Sequence, residues 1–281
     1  MNDITLTSRC GFPDQPETGF APSMMMQHIL ETLKRFAMSD LGVLIVSEDG
    51  NETDLIAKTI HRLSGRACYP FVHLDCSTIS PRGAAEAIFG AENPDAGEPG
   101  IHRGILEHAR KGTLFIDHFS LLAPAVQQRV ARAIEYQHFR RLQGKEEIIL
   151  SSRFIIVTHR RGVFNEAGAV GDQGFLHLAC PLTINLPPLR QRREDIPYLI
   201  REYLTELSST GGSGTVTMSP EALQACLEYH WPGNAVELRH VLEYALFHIE
   251  GDVIQRHHLS PHILYSSGIR NIFAVGGPMA G

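Results

Sequence analysis

Apolar positions along this chain alternate between two rhythms, and the alternation sets out a fold. Residues 24–38 carry Ile29, Leu33 and Phe36 at spacings of four and three, which predicts an amphipathic helix with Ser23 as its cap. Residues 42–46 are a continuous apolar run of strand length. Leu55, Ile56, Thr59, Ile60 and Leu63 return to helical spacing, and Gly65 ends that helix. Residues 70–74 predict a second strand, 84–89 a helix, and 90–100 a loop rich in Gly, Pro and Asp. Strands follow at 113–116, 154–157 and 182–186, with a helix over 124–137 between the first two. Strands alternating with helices predict a mostly parallel sheet with helices on both faces.

After Pro187-Pro188 the rhythm changes. Residues 195–207, 219–229 and 235–248 predict three helices with no strand between them, and 209–214 a loop. Ser219-Pro220-Glu221 and Pro232-Gly233-Asn234 supply cap and turn chemistry ahead of the last two. The organisation read from this pattern is a mobile leader over 1–22, an α/β subdomain over 23–188, a helical subdomain over 189–265 and a mobile tail over 266–281.

The segment 43–57 is a buried strand, a turn and a helix, the setting in which nucleotide phosphates rest on a helix N-terminus. Its chemistry is unsuited to phosphate. The turn holds one glycine, Gly50, no lysine, and the carboxylates Glu48, Asp49, Glu52 and Asp54. Losing a charge-assisted bond and adding an acid costs phosphate binding roughly 2–5 kcal/mol, a tens- to thousands-fold loss of affinity. An ordinary acidic loop before a helix fits the segment as well, because acids favour the helix N-terminus. A calcium loop fits less well, since the distal bidentate Glu is missing.

Composition narrows the class. A chain of 281 residues with 43% hydrophobic and 20% charged residues has the apolar mass for a core. A formal charge of −6 argues against a nucleic-acid coat or a membrane-surface binder. No apolar run approaches the length of a membrane span, and no signal peptide is visible. Five scattered cysteines without C-x-x-C spacing predict reduced, buried thiols in a cytoplasmic protein. His257, His258 and His262 have no Cys or acid at ligand spacing, so no metal site is expected.

Longer strings then converge. Phe89-Gly90-Ala91-Glu92 is similar to the motif FGHE, and 111–117 (KGTLFID) to GGTLFLDE. Residues 186–192 (LPPLRQR) are similar to LPPLRER, and 231–239 (WPGNAVELR) to WPGNVREL. These motifs resemble the central AAA+ ATPase domain of bacterial enhancer-binding proteins, the activators of sigma-54 RNA polymerase, over residues 24–264. The resemblance implies a P-loop-type parallel sheet with helices on both faces followed by a small helical lid. It also implies ring assembly, ATP hydrolysis between subunits, and a loop pushed onto sigma-54.

Carried over residue by residue, the family's chemistry is largely erased. The turn GESGTGKE falls on 47–54, which puts Gly50 on a glycine, Glu52 on the last glycine, Thr53 on the lysine and Asp54 on the final acid. Asp117 keeps the carboxylate that would hold magnesium, while His118 replaces the water-activating Glu. The γ-phosphate-sensing Asn falls on His159, the Asn that positions the catalytic Glu on Asp75, and the lid arginine on Val236. No arginine lies between Arg161 and Arg190, where the ring's arginine fingers belong. The family's GAFTGA loop is replaced by Asn93, Pro94, Asp95, Ala96, Gly97 and Glu98, which makes a partner-binding loop of another chemistry and leaves direct sigma-54 contact unexpected. Only about 17 residues follow Leu264, too few for a helix-turn-helix, so no DNA binding is expected.

The resulting expectation is a transcription-regulatory protein without ATPase activity, working through an intact AAA+ activator or a second copy of itself, with no cofactor. One alternative is an unconventional ATPase using Asp117 and His118 with ATP and magnesium. Another is a cyclic-dinucleotide sensor using Lys34 and Arg35. The arginines at 190, 192, 193 and 201 form either an anion patch or a solvated junction paired with Glu194 and Asp195.

Overall fold

The computed structural model describes residues 6–7, 22–93, 100–159, 174–211 and 216–265. The chain divides into two compact units. One comprises Met1–Thr18, Ile29–Glu48 and Thr53–Leu186, and the other Gly19–His28, Asp49–Glu52 and Pro187–Gly281.

The first unit is built on a sheet. Strand β1 (Leu6–Thr7) comes first in the chain, then helix α1 (Met24–Ala37), which belongs to this unit from Ile29 onward, β2 (Val43–Ser47), α2 (Thr53–Leu63) and β3 (Phe71–Asp75). Next come α3 (Ala84–Phe89), β4 (Gly90–Asn93), β5 (Gly100–Arg103), α4 (Ile105–His108) and β6 (Thr113–Asp117). The remainder is α5 (Pro124–Tyr136), β7 (His138–Phe139), β8 (Ile148–Ile149), β9 (Arg153–His159), α6 (Gly174–Ala179) and β10 (Leu182–Asn185). The main sheet runs β1-β3-β6-β9-β2-β10; β1 pairs antiparallel with β3, and every other pairing is parallel.

The five strands predicted from apolar runs are the five parallel strands. Leu44, Leu114, Phe115, Ile116, Ile155 and Ile156 are all essentially sealed, as expected of strands covered on both faces. Ser23 caps α1 as expected, accepting from Met26 N at 3.1 Å. At the far end of that helix, buried Arg153 donates to the carbonyls of Phe36 and Leu41.

Two predicted loops differ. The stretch read as a 90–100 loop contributes β4 and the first residue of β5, which pair antiparallel, with Gly90 opposite Arg103 and Asn93 opposite Gly100. Gly90 misled the reading, because it and Gly104 beyond the stretch serve close backbone approach. A Cβ on Gly104 would lie 2.3 Å from Gly90 N, and one on Gly90, at φ +75°, 2.2 Å from His102 O. Arg141 ties the hairpin's base to α4 with bonds of 2.8 Å to Glu92 and Glu107.

The second unit is mainly helical: α7 (Ile196–Gly211), α8 (Pro220–Glu228) and α9 (Asn234–His248). Helix α7 runs past its expected end at Leu207 into the stretch read as a 209–214 loop. Strands β11 (Thr217–Met218) and β12 (Val253–Ile254) form a short parallel pair that periodicity did not predict. Trp231 centres the core with Leu189, Leu199, Leu238, Leu242 and Ile254, and its indole donates to Cys226 O at 2.8 Å. Ser219 caps α8 as expected. No helix among the described residues is long and apolar enough to cross a membrane.

Candidate functional site

Parallel pairing brings the C-terminal ends of β2, β9, β3 and β6 into line, with Ser47 opposite His159 and Asp75 opposite Asp117. In open α/β sheets that edge is where ligands are held. Asp117 accepts from the Thr53 hydroxyl at 3.4 Å and from His118 N at 2.8 Å. His159 Nε2 lies 3.6 Å from Asp117 Oδ1. The His118 ring stacks on His159 at 4.3 Å and meets Asp75 Oδ1 at 3.0 Å. His118 stands at φ +52°, a left-handed conformation in which few residues other than Gly, Asn, Asp and His settle.

Burial and neighbouring groups set the electrostatics of this edge. Burial works to raise the Asp75 carboxyl, but bonds from Ser77 and His118 outweigh it and hold it below its ordinary range. Burial, with Asp75 and Asp117 nearby, pushes the Cys76 thiol up to about 12, so it stays protonated. Thr53, Asp117, His118 and His159, predicted from separate motifs, therefore form one constellation. Asp54 stands apart from it, paired with Lys58 at 2.6 Å.

The turn itself, Asp49–Glu52, belongs to the second unit, and there its groups are engaged one by one. Asn234 donates through Nδ2 to Asp49 O at 2.8 Å while its Oδ1 accepts from Leu189 N at 2.8 Å. Val236 N donates to Gly50 O at 3.0 Å. Gly50, at φ +77°, passes so close to Gly233 that a Cβ would lie 2.1 Å from its carbonyl oxygen. Arg192 donates to Asn51 Oδ1 at 3.3 Å and sits 3.7 Å from Glu52 Oε2 and 3.8 Å from Asp195 Oδ2. The Tyr203 hydroxyl donates to Glu52 Oε1 at 2.9 Å. Burial raises the Glu52 carboxyl despite Arg192 and Tyr203. Asp195 also accepts both the amide and the hydroxyl of Ser23, at 2.8 Å each.

These contacts correct two expectations. The solvated-junction reading fails for Arg192, which is 1% exposed and holds Asn51 and Glu52 besides Asp195. The acids of the turn are also not a bare repulsive surface, since Glu52 faces Arg192 and Asp54 faces Lys58. Sequence reasoning passed over Asn51, Tyr203 and Asn234 as site residues. The signal for Asn234 and Arg192 was their place inside two of the recognised motifs; nothing along the chain pointed to Tyr203. Of the replaced loop, Asn93 ends β4, and Pro94, Asp95, Ala96, Gly97 and Glu98 lie outside the described residues, as do residues 160–173. Lys34 is paired with Glu31 at 3.1 Å, and Arg35 bonds to Thr32 at 3.3 Å.

The family model described as the sigma-54 interaction domain matches residues 20–167, and the one described as the AAA+ ATPase lid domain matches 190–271. Among curated proteins, the chain is 32% identical over 241 residues to the Nif-specific regulatory protein of Herbaspirillum seropedicae, covering 85% of this chain and 44% of that one. It is 31% identical over 238 residues to the transcriptional regulatory protein ZraR of Escherichia coli, covering 84% and 54%. Among solved structures, NtrX from Brucella abortus in complex with ADP superposes with a TM-score of 0.77 at 26% identity, covering 89% of this chain and 56% of that one. The same protein in complex with ATP gives 0.77 at 25%, covering 93% and 56%. The chain spans about half the length of the curated relatives it matches.

Proposed function

We propose a function from one premise: the chain belongs to the sigma-54 interaction domain family. Within it, the protein acts as a transcription-regulatory AAA+ module without ATPase activity. It works by protein–protein contact, with an intact AAA+ activator or a second copy of itself as partner. The named relatives are regulators, which supports the transcriptional setting.

The observation that carries the loss of catalysis is the turn Asp49–Glu52. Its Glu52 carboxylate, which stands where the resemblance puts a glycine, is held within the turn by Arg192 and Tyr203. A triphosphate needs free backbone amides and a cation there. This turn offers an acid, followed by Thr53, whose hydroxyl is turned to Asp117. The residues present therefore match poorly to ATP with magnesium, and no hydrolytic step is assigned to them. His118, at the position of the water-activating residue, is engaged with Asp75 and His159.

A second reading, nucleotide binding without the usual lysine, rests on retained Asp117 and on NtrX from Brucella abortus, whose structures are in complex with ADP and with ATP. Calorimetric titration with Mg·ATP separates the two. Absence of saturable heat at micromolar to millimolar nucleotide supports the silent module; a saturable micromolar isotherm overturns it. Size-exclusion with an intact activator tests the partner, and failure to associate with it or to self-associate removes the protein–protein part.

A further inference from the structure

Within the first unit, the ends of β3, β6 and β9 gather two carboxylates and two imidazoles. Asp75 Oδ1 lies 3.0 Å from His118 Nδ1, that nitrogen 3.7 Å from Asp117 Oδ1, and that oxygen 3.6 Å from His159 Nε2. A ring nitrogen of His118 and one of His159 are within 4.8 Å of each other. The two ring contacts to Asp117 Oδ1 are too long for hydrogen bonds. They match the spacing of ligands that share one ion: donors bound to a tetrahedral zinc stand about 3.3–3.6 Å apart.

The four donors differ in access. The His159 side chain is 6% exposed and that of Asp117 13%, while His118 and Asp75 are half-buried. Two ligands are therefore fixed inside, and two stand where an ion enters. His118 is held in the left-handed conformation, and backbone strain of that kind gathers at ligand clamps. Its ring stacks on that of His159 at an interplanar angle of 19°, so a turn about its broad χ2 torsion converts the stack into a chelate.

We propose that Asp117, His118 and His159 bind a zinc ion, with Asp75 as the fourth ligand. Imidazole combined with carboxylate suits zinc, whereas magnesium and calcium are held through oxygen. Asp75 and Asp117 stand opposite each other on neighbouring strands, and a cation between them removes the repulsion of two like charges. The ion ties the ends of three strands together, so the loaded protein is the more stable one. The site needs no nucleotide, so it goes beyond the function proposed above, and the two are separated by titrating metal and nucleotide independently.

The test is titration of the whole chain, stripped with a chelator, with Zn²⁺ alone and with Co²⁺ for its visible spectrum. One saturable Zn²⁺ site per chain, micromolar or tighter and not displaced by excess Mg²⁺, is expected, with a thermal midpoint that rises on loading. Co²⁺ should give the intense visible bands of a tetrahedral site, a readout that needs no variant. His118→Asn, which the left-handed backbone accepts, and Asp117→Asn should each weaken Zn²⁺ at least about tenfold, with metal-free melts showing both folded. His257→Ala, at an exposed ring in the second unit, should leave binding unchanged. Four results overturn the proposal: no saturable Zn²⁺ binding by the parent, a weak octahedral Co²⁺ spectrum, His118→Asn and Asp117→Asn binding as the parent does, or loss of the site in His257→Ala.

Discussion

Arg192 Nη2 lies 3.7 Å from Glu52 Oε2, and the arginine is sealed at 1% exposure. A guanidinium in that position cannot be left without its acids, and the acids cannot be left without it. Arg192→Ala therefore strands Glu52 and Asp195 and should cost about 3–5 kcal/mol of stability by urea unfolding. Arg192→Lys should recover only part of that, because an ammonium cannot span Asn51, Glu52 and Asp195 as a planar fork does. A loss within about 0.5 kcal/mol for the alanine variant, the range of ordinary surface changes, would show that the pair does not hold the turn.

Gly50 answers to backbone geometry alone. At φ +77°, with a Cβ placed 2.1 Å from Gly233 O, Gly50→Ala must move one chain or the other. The strained conformation alone is worth about 1–3 kcal/mol. The sensitive readout is hydrogen exchange at Val236, whose amide donates to Gly50 O; its protection should fall more than that of amides in the middle of α9.

On the proposed function, Mg·ATP affinity should rise most when Glu52 and Thr53 are changed together. Thr53→Lys supplies a cation but leaves the Glu52 carboxylate beside it. Glu52→Gly with Thr53→Lys should bind Mg·ATP at least about tenfold more tightly than Thr53→Lys alone in calorimetry. Equal affinities would mean that Glu52 does not oppose the phosphates.

His61 makes stability depend on pH. Burial first, then Arg153, lowers its pKa from 6.5 to about 4, and its Nδ1 meets the Thr113 hydroxyl at 2.9 Å. The unfolded chain therefore takes up a proton near 6.5 that the folded chain refuses until about 4. Stability is full above 6.5 and falls as pH drops through that window, by up to roughly 3 kcal/mol. In His61→Asn this slope should disappear from unfolding curves measured across the window. A slope identical to the parent's would assign the dependence to another group.

Much of the α/β unit was legible because its strands are buried on both faces and read as continuous apolar runs at 43–46, 113–116 and 154–157. The hairpin β4–β5 was hidden, because its pairing partner lies beyond a Gly- and Pro-rich stretch and its glycines signal close packing only once His102 and Gly104 are seen beside Gly90. The pair β11–β12 was hidden for a related reason: two-residue strands carry no period.

By itself the amino-acid order settled the side chains of the recognised strings: Thr53 in the turn, His118 after Asp117, Val236 within the string 231–239. Those are matters of covalent identity, and no folding changes them. Only the tertiary structure decided what they touch. Arg192, Tyr203 and Asn234 reach Asn51, Glu52 and Asp49 from far along the chain. An acidic turn that looked repulsive in one dimension is held by a buried guanidinium in three, since electrostatic and hydrogen-bond energies depend on distance in space and on burial rather than on separation in sequence.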